Sequence, residues 1–111
     1  MKTLNEVTQE LDDLLKSIKK DSSEREIKSA KSRAQFLRMC IKYLETCPRE
    51  EFIRKQLNEA KHRVELIPTH FESWKTGKVL TQFKDPYAAY CTQMGLSTLK
   101  IQVVTLEYLL N

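Results

Sequence analysis

Four basic residues, Lys28, Lys31, Arg38 and Lys42, follow one another at steps of three, seven and four. A helix turns once in about 3.6 residues, so this spacing lines them up on one face, with Gln35 between them and Arg33 a little way round. A row of cations of this kind can neutralise successive phosphates of a nucleic acid and release its counterions. The same row also suits a solvated surface, where lysine stems cover apolar edges and their ammonium groups keep a domain dissolved. No helix-turn-helix, zinc-finger or RNA-recognition pattern accompanies it.

A second group is aromatic. Phe71, Trp74, Phe83, Tyr87 and Tyr90 are five of the nine aromatic residues and fall within one short stretch, interleaved with Lys75, Lys78 and Lys84. Aromatic rings flanked by cations can stack nucleobases, and tryptophan and tyrosine commonly anchor protein interfaces. Phe71, Trp74, Tyr87 and Tyr90 are therefore the candidate interface anchors. Set against this is a plainer role, in which large side chains pin an irregular segment to the rest of the fold.

Other chemistry finds little support. His62 and His70 stand eight residues apart, and Cys40, Cys47 and Cys91 are isolated, so the short-range ligand pairs of a zinc site are absent. Cys40 and Cys47 are separated by about 10.5 Å of rise if a helix runs between them, which is too far for a disulfide. Gly77-Lys78 is followed by Val79 rather than serine or threonine, and Glu72 stands where a phosphate loop needs glycine. Asp12-Asp13 and Glu50-Glu51 are neighbours in sequence and point about 100° apart on a helix, so neither pair makes a shared acid–base site. No nucleophile motif is present. The expectation is a non-enzymatic protein with no cofactor, no metal and no small-molecule substrate.

The elements that position these residues follow from composition and periodicity. The chain has 111 residues, 41% of them hydrophobic and 31% charged, with a net charge of +4. That length suits one domain that buries about 65% of its unfolded surface in a single core. Two glycines and three prolines leave few chain breaks, which fits long helices. The charge is uneven: residues 16–42 hold nine lysines and arginines against Asp21, Glu24 and Glu26. No segment resembles a signal peptide or reaches the ~20 apolar residues of a membrane span, and an odd cysteine count agrees with a reducing compartment, so a cytoplasmic location is expected.

Apolar residues at Leu4, Val7, Leu11, Leu14 and Ile18 predict a first helix over about 3–20. Ser23 and Glu26 form a capping-box pattern that opens a second, carried by Ile27, Ala30, Ala34, Leu37, Ile41 and Leu44 over about 24–46. Pro48 is placed to open a third, over about 48–67, that Pro68 should end. The short junction at Cys47-Pro48 predicts that the second and third helices fold back as an antiparallel hairpin. Thr69 and Glu72 repeat the capping pattern before a short turn over His70–Lys75. Lys78–Phe83 reads as loop or extended chain. Asp85-Pro86 starts a helix that Gly95 stops. Ser97–Leu110 fits a helix by Leu99, Val103, Leu106 and Leu110 and a strand by Leu99, Ile101 and Val103; its length and the lack of a partner strand favour helix.

The expected fold is an all-α antiparallel bundle in one domain, 1–111, with a three-helix core over 1–67 and an irregular segment with one or two helices over 68–111. The expected role is a helical protein–protein interaction module that self-associates as a homo-oligomer, with no membrane contact. The alternative is a small nucleic-acid-binding protein that uses Lys28, Lys31, Arg38 and Lys42.

Overall fold

The structure, a computed structural model, describes residues 1–78 and 80–111; Val79, within the Lys78–Phe83 stretch expected as loop or extended chain, lies outside the described residues. The described chain is all-α. Helices α1 (Leu4–Ser17), α2 (Glu24–Thr46), α3 (Glu50–Thr69), α4 (Phe71–Lys75), α5 (Pro86–Gln93) and α6 (Leu96–Leu110) follow in order, with one 3₁₀ turn at Leu80–Gln82, and no strand forms among the described residues. The C-terminal segment is therefore helix, as its length suggested. The helix contacts fit a helical bundle.

The contacts gather into two compact units. The first comprises Met1–Arg54 with Thr105–Asn111. Here α1 lies along α2, and the buried residues include Val7, Ala34, Leu37, Cys40, Leu44, Leu106 and Leu109. Complete burial of a side chain such as Leu37 is worth about 1.5–3 kcal/mol. The backbone N–H of Lys2 donates to the carbonyl of Leu109 at 2.8 Å, which ties the start of the chain to its end.

The first helix is shorter than its apolar stripe predicts. Thr3 caps it, its hydroxyl accepting from the Glu6 N–H at 3.2 Å. It stops at Ser17, whose hydroxyl donates to the Leu14 carbonyl at 2.6 Å. Ile18 is already extended, and the Lys19 N–H turns to the Ser22 hydroxyl at 3.0 Å. Local serine bonds of this kind offer the backbone an alternative to helix. The break before α2 falls where the capping pattern put it, with the Ser23 hydroxyl accepting from the Glu26 N–H at 3.2 Å.

Two prolines act differently from expectation. Pro48 precedes α3 rather than opening it: Cys47 is extended, as a residue before proline must be, and the first helical bond runs from the Ile53 N–H to the Arg49 carbonyl. Pro68 sits inside the last turn of α3, which continues to Thr69. A proline there forfeits one backbone donor, and the His70 N–H closes the end on the Ile67 carbonyl at 3.2 Å. The capping box expected at Thr69 does not form, because the Thr69 hydroxyl donates back to the Leu66 carbonyl at 2.6 Å and α4 starts without a side-chain cap.

The second unit comprises Lys55–Val104. Its buried residues include Leu57, Ala60, Ile67 and Tyr90. Asp85 caps α5, its carboxylate accepting from the Ala88 N–H at 3.1 Å, and Pro86 occupies the first turn. Gly95 takes a φ of 70° and separates α5 from α6.

Candidate functional site

Lys28, Lys31, Arg38 and Lys42 all lie on α2 and all are exposed. The buried side of this helix carries Ala34, Leu37, Cys40 and Leu44, so the four cations project away from it. None of the four takes part in an ion pair among the described residues. Arg33 is engaged elsewhere. Its guanidinium donates to Oε1 of Glu10 at 3.0 Å and lies 4.9 Å from the Phe36 ring and 5.0 Å from the Tyr108 ring.

The aromatic residues come together in the second unit. Phe71 on α4 stands 5.0 Å from Tyr87 and 5.3 Å from Tyr90 on α5, and Trp74 stands 5.4 Å from Tyr90 and 5.8 Å from Phe83. Contacts of this geometry are worth about 0.5–1.5 kcal/mol each beyond their buried area. The four candidate anchors divide into two roles. Tyr90 is 1% exposed and its hydroxyl donates to the Ile67 carbonyl, so it closes the end of α3 from the inside. Phe71 and Trp74 are half-buried, with Lys75 5.0 Å over the Phe71 ring, Lys78 5.0 Å over the Trp74 ring, and the indole N–H donating to Oε1 of Gln93 at 3.0 Å. Tyr87 is 43% exposed. Its phenol is pushed above the ordinary tyrosine value, first by a hydrogen bond with Cys91 one turn along α5. The cluster is thus a packed hub with Tyr87 at its open edge.

His62 and His70 are both exposed, Cys47 and Cys91 are half-buried, and all three cysteines are free thiols. No three His, Cys, Asp or Glu side chains among the described residues gather as ligands of one ion would. Burial raises the Cys40 thiol from an ordinary value of 9.0 to about 11, which keeps it protonated and unreactive. Asp13 accepts from the Gln9 amide at 2.8 Å, and Glu50 pairs with Arg54 at 2.9 Å, both as surface contacts within one helix.

Two concave surfaces complete the picture. One, of about 470 Å³, lies at the α1–α2 turn, with Leu14, Ile18, Ile27 and Ala30 among serines, Arg25 and Glu26. The other, of about 370 Å³, lies on the second unit between α3 and α6 and is lined by Lys61, Val64, Glu65, Lys100, Val103 and Val104. Beside it stand two of the most exposed large apolar residues of the described chain, Ile101 at 49% and Val104 at 57%. Neither residue stands out from periodicity. The readable signal is that α6 carries apolar residues on every side, which fits a helix covered all round, whether by its own fold or by a partner.

No protein-family model matches the chain, and no curated protein or solved structure matches it. No helix among the described residues is long and apolar enough to cross a membrane.

Proposed function

We propose that the protein is a non-enzymatic helical interaction module that self-associates. The observation that carries this reading is the apolar surface left open on the second unit: Leu66, Tyr87, Met94, Ile101 and Val104 are all exposed although each is large and apolar. Exposed apolar side chains that adjoin, as Ile101 and Val104 do three residues apart on α6, mark association surfaces more than residues scattered singly do. The aromatic hub supports the reading, because Phe71 and Trp74 of α4 pack on Tyr90 of α5 and Phe71 also meets Tyr87, which stands exposed at its edge. Size-exclusion chromatography with light scattering tests it. A mass of two or more chains that falls on dilution is the expected result, and a strict monomer at every concentration overturns it.

A second reading has its own support in Lys28, Lys31, Arg38 and Lys42, which are exposed together on one helix with no ion pair to an acidic side chain among the described residues. A nucleic acid laid along α2 would meet four charges, and the logarithm of its affinity would fall with that of salt at a slope near −3.6, about 0.9 per phosphate neutralised. A gel shift at low ionic strength that disappears when all four are changed to glutamate is its expected signature. No shift with the unaltered protein excludes it.

A further inference from the structure

We infer that α2 lies across the major groove of a DNA duplex, with Lys28 and Lys31 on one phosphate strand and Arg38 and Lys42 on the other; this rests on the second reading above. Three observations lead there.

The row is built from like charges at neighbouring positions of the helix. Lys31 follows Lys28 by three residues and Lys42 follows Arg38 by four, so the members of each pair adjoin on the helix surface and repel. A face that serves solubility alone mixes the two signs, as α3 does where Glu50 pairs with Arg54 at 2.9 Å. Between Glu26 and Glu45, α2 has no acidic residue, in a chain where 15 of 111 residues are acidic. Glu24 and Glu45 flank the row at its ends, and neither pairs with it among the described residues. Arg33, the fifth cation of this stretch, is taken by Glu10 of α1. The repulsion within each pair is left for an outside anion to relieve.

The spacing divides the row in two. At a rise of 1.5 Å per residue, the members of the pairs stand about 4.5 and 6 Å apart along the axis, and the midpoints of the two pairs about 16 Å apart. Gln35, exposed and uncharged, stands midway between them. The major groove of a DNA duplex is about 12 Å wide, and its phosphate walls stand further apart than that from centre to centre. A helix laid across it sets one pair on each wall and Gln35 over the gap, where there is no phosphate to neutralise. One strand followed lengthwise would also offer phosphates to the middle of the row, where no cation stands.

The face lacks what other nucleic acids require. Single strands are held by aromatic rings that stack on their bases. Phe36 is turned to the Tyr108 ring at 5.2 Å, Tyr43 is half-buried, and α2 has no other aromatic residue. The wide groove of an RNA duplex displays 2′-hydroxyls, for which the row offers Gln35 alone. Contacts of this kind go to the backbone and carry no base readout, so binding should be indifferent to sequence.

The test is fluorescence anisotropy of the full chain with a short labelled DNA duplex, each of its single strands, and an RNA duplex of the same sequence. Circular dichroism of each variant confirms that it folds. The DNA duplex should bind most tightly, and its affinity should fall about 150-fold between about 50 and 200 mM salt, as four neutralised phosphates require. Lys28→Gln with Lys31→Gln, and separately Arg38→Gln with Lys42→Gln, should each reduce that fall to about twelvefold, the value for two phosphates. No binding of any of these nucleic acids by the unaltered protein overturns the inference together with the second reading. A single strand or an RNA duplex bound as tightly as the DNA duplex overturns the inference alone. A salt dependence that both double variants leave unchanged puts the contact on another face and overturns both. A change with one pair but not with the other overturns the two-strand seating.

Discussion

The hydroxyl of Tyr108, near the end of α6, donates to Oε2 of Glu10 in α1, ninety-eight residues earlier in the chain. The same carboxylate receives Arg33 of α2 on its other oxygen at 3.0 Å. The Tyr108 ring stands edge-on to Phe36 at 5.2 Å, with the Lys2 ammonium 4.6 Å from its centre. One phenol therefore links both ends of the chain to the middle of α2, and its first consequence is a pH dependence of stability.

Glu10 titrates below the ordinary carboxylate value, chiefly because Tyr108 donates to it, with Arg33 adding to this against partial burial. Its contribution is present above the unfolded carboxylate value, about 4.3, and is lost as pH falls through the lower folded one. Tyr108 is raised from 10.0 to about 12, first by burial and then by the same bond. Its contribution is present below 10.0 and is lost as pH rises through about 12. Tyr108→Phe should remove the alkaline loss and shrink the acid one. At neutral pH it should cost about 1 kcal/mol, less than a fully buried charged bond because the Glu10 side chain is 40% exposed. Urea melts of both proteins across pH measure it.

The three thiols should separate by reactivity. Cys40 is completely buried and its thiol is raised to about 11 by that burial, while Cys47 and Cys91 are half-buried. Under native, mildly alkaline conditions a soluble disulfide reagent should label Cys47 and Cys91 first. Cys40 should follow at least about a hundredfold more slowly, at the rate of local opening. Equal labelling of all three would mean that the α2 core is open.

Much of this arrangement was legible in the sequence, and the reasons differ between elements. The α2 boundaries follow from Ser23 and from the residues before Pro48, because capping and pre-proline geometry are local. The aromatic hub is legible as a cluster for the same reason: its members are close in sequence. The Glu10–Arg33–Tyr108 link was not, since no local pattern relates residues so far apart. The end of α1 was misplaced because its apolar stripe runs on to Ile18 while Ser17 and Ser22 turn the backbone away. The exposure of Ile101 and Val104 is invisible to periodicity, because an apolar helix reads alike whether its last face meets the fold or water.

Tyr90 offers a way to separate a bond from a packing effect. Its hydroxyl donates to the Ile67 carbonyl, which also accepts from the His70 N–H, and its ring meets Phe71 and Trp74. Tyr90→Phe keeps the ring and leaves the carbonyl one partner, so it should cost about 1 kcal/mol. Tyr90→Ala removes the ring as well and should cost about 3–5 kcal/mol. If the two cost the same by urea denaturation, the hydroxyl and not the ring holds the hub to α3.

Gly95 tests whether backbone conformation alone can govern the α5–α6 junction. Its φ is 70°, in the left-handed region that side chains disfavour, and a Cβ built there meets nothing within 4 Å. Crowding is therefore absent, and any penalty must come from the residue's own backbone. Gly95→Ala should cost about 1 kcal/mol, the strain of placing an L-residue in that conformation. Gly95→Asn should cost less, since asparagine enters this region more readily, although its side chain is larger. Thermal melts that rank alanine below asparagine support a conformational origin. The reverse order would mean that space around Gly95, rather than its φ, sets the turn.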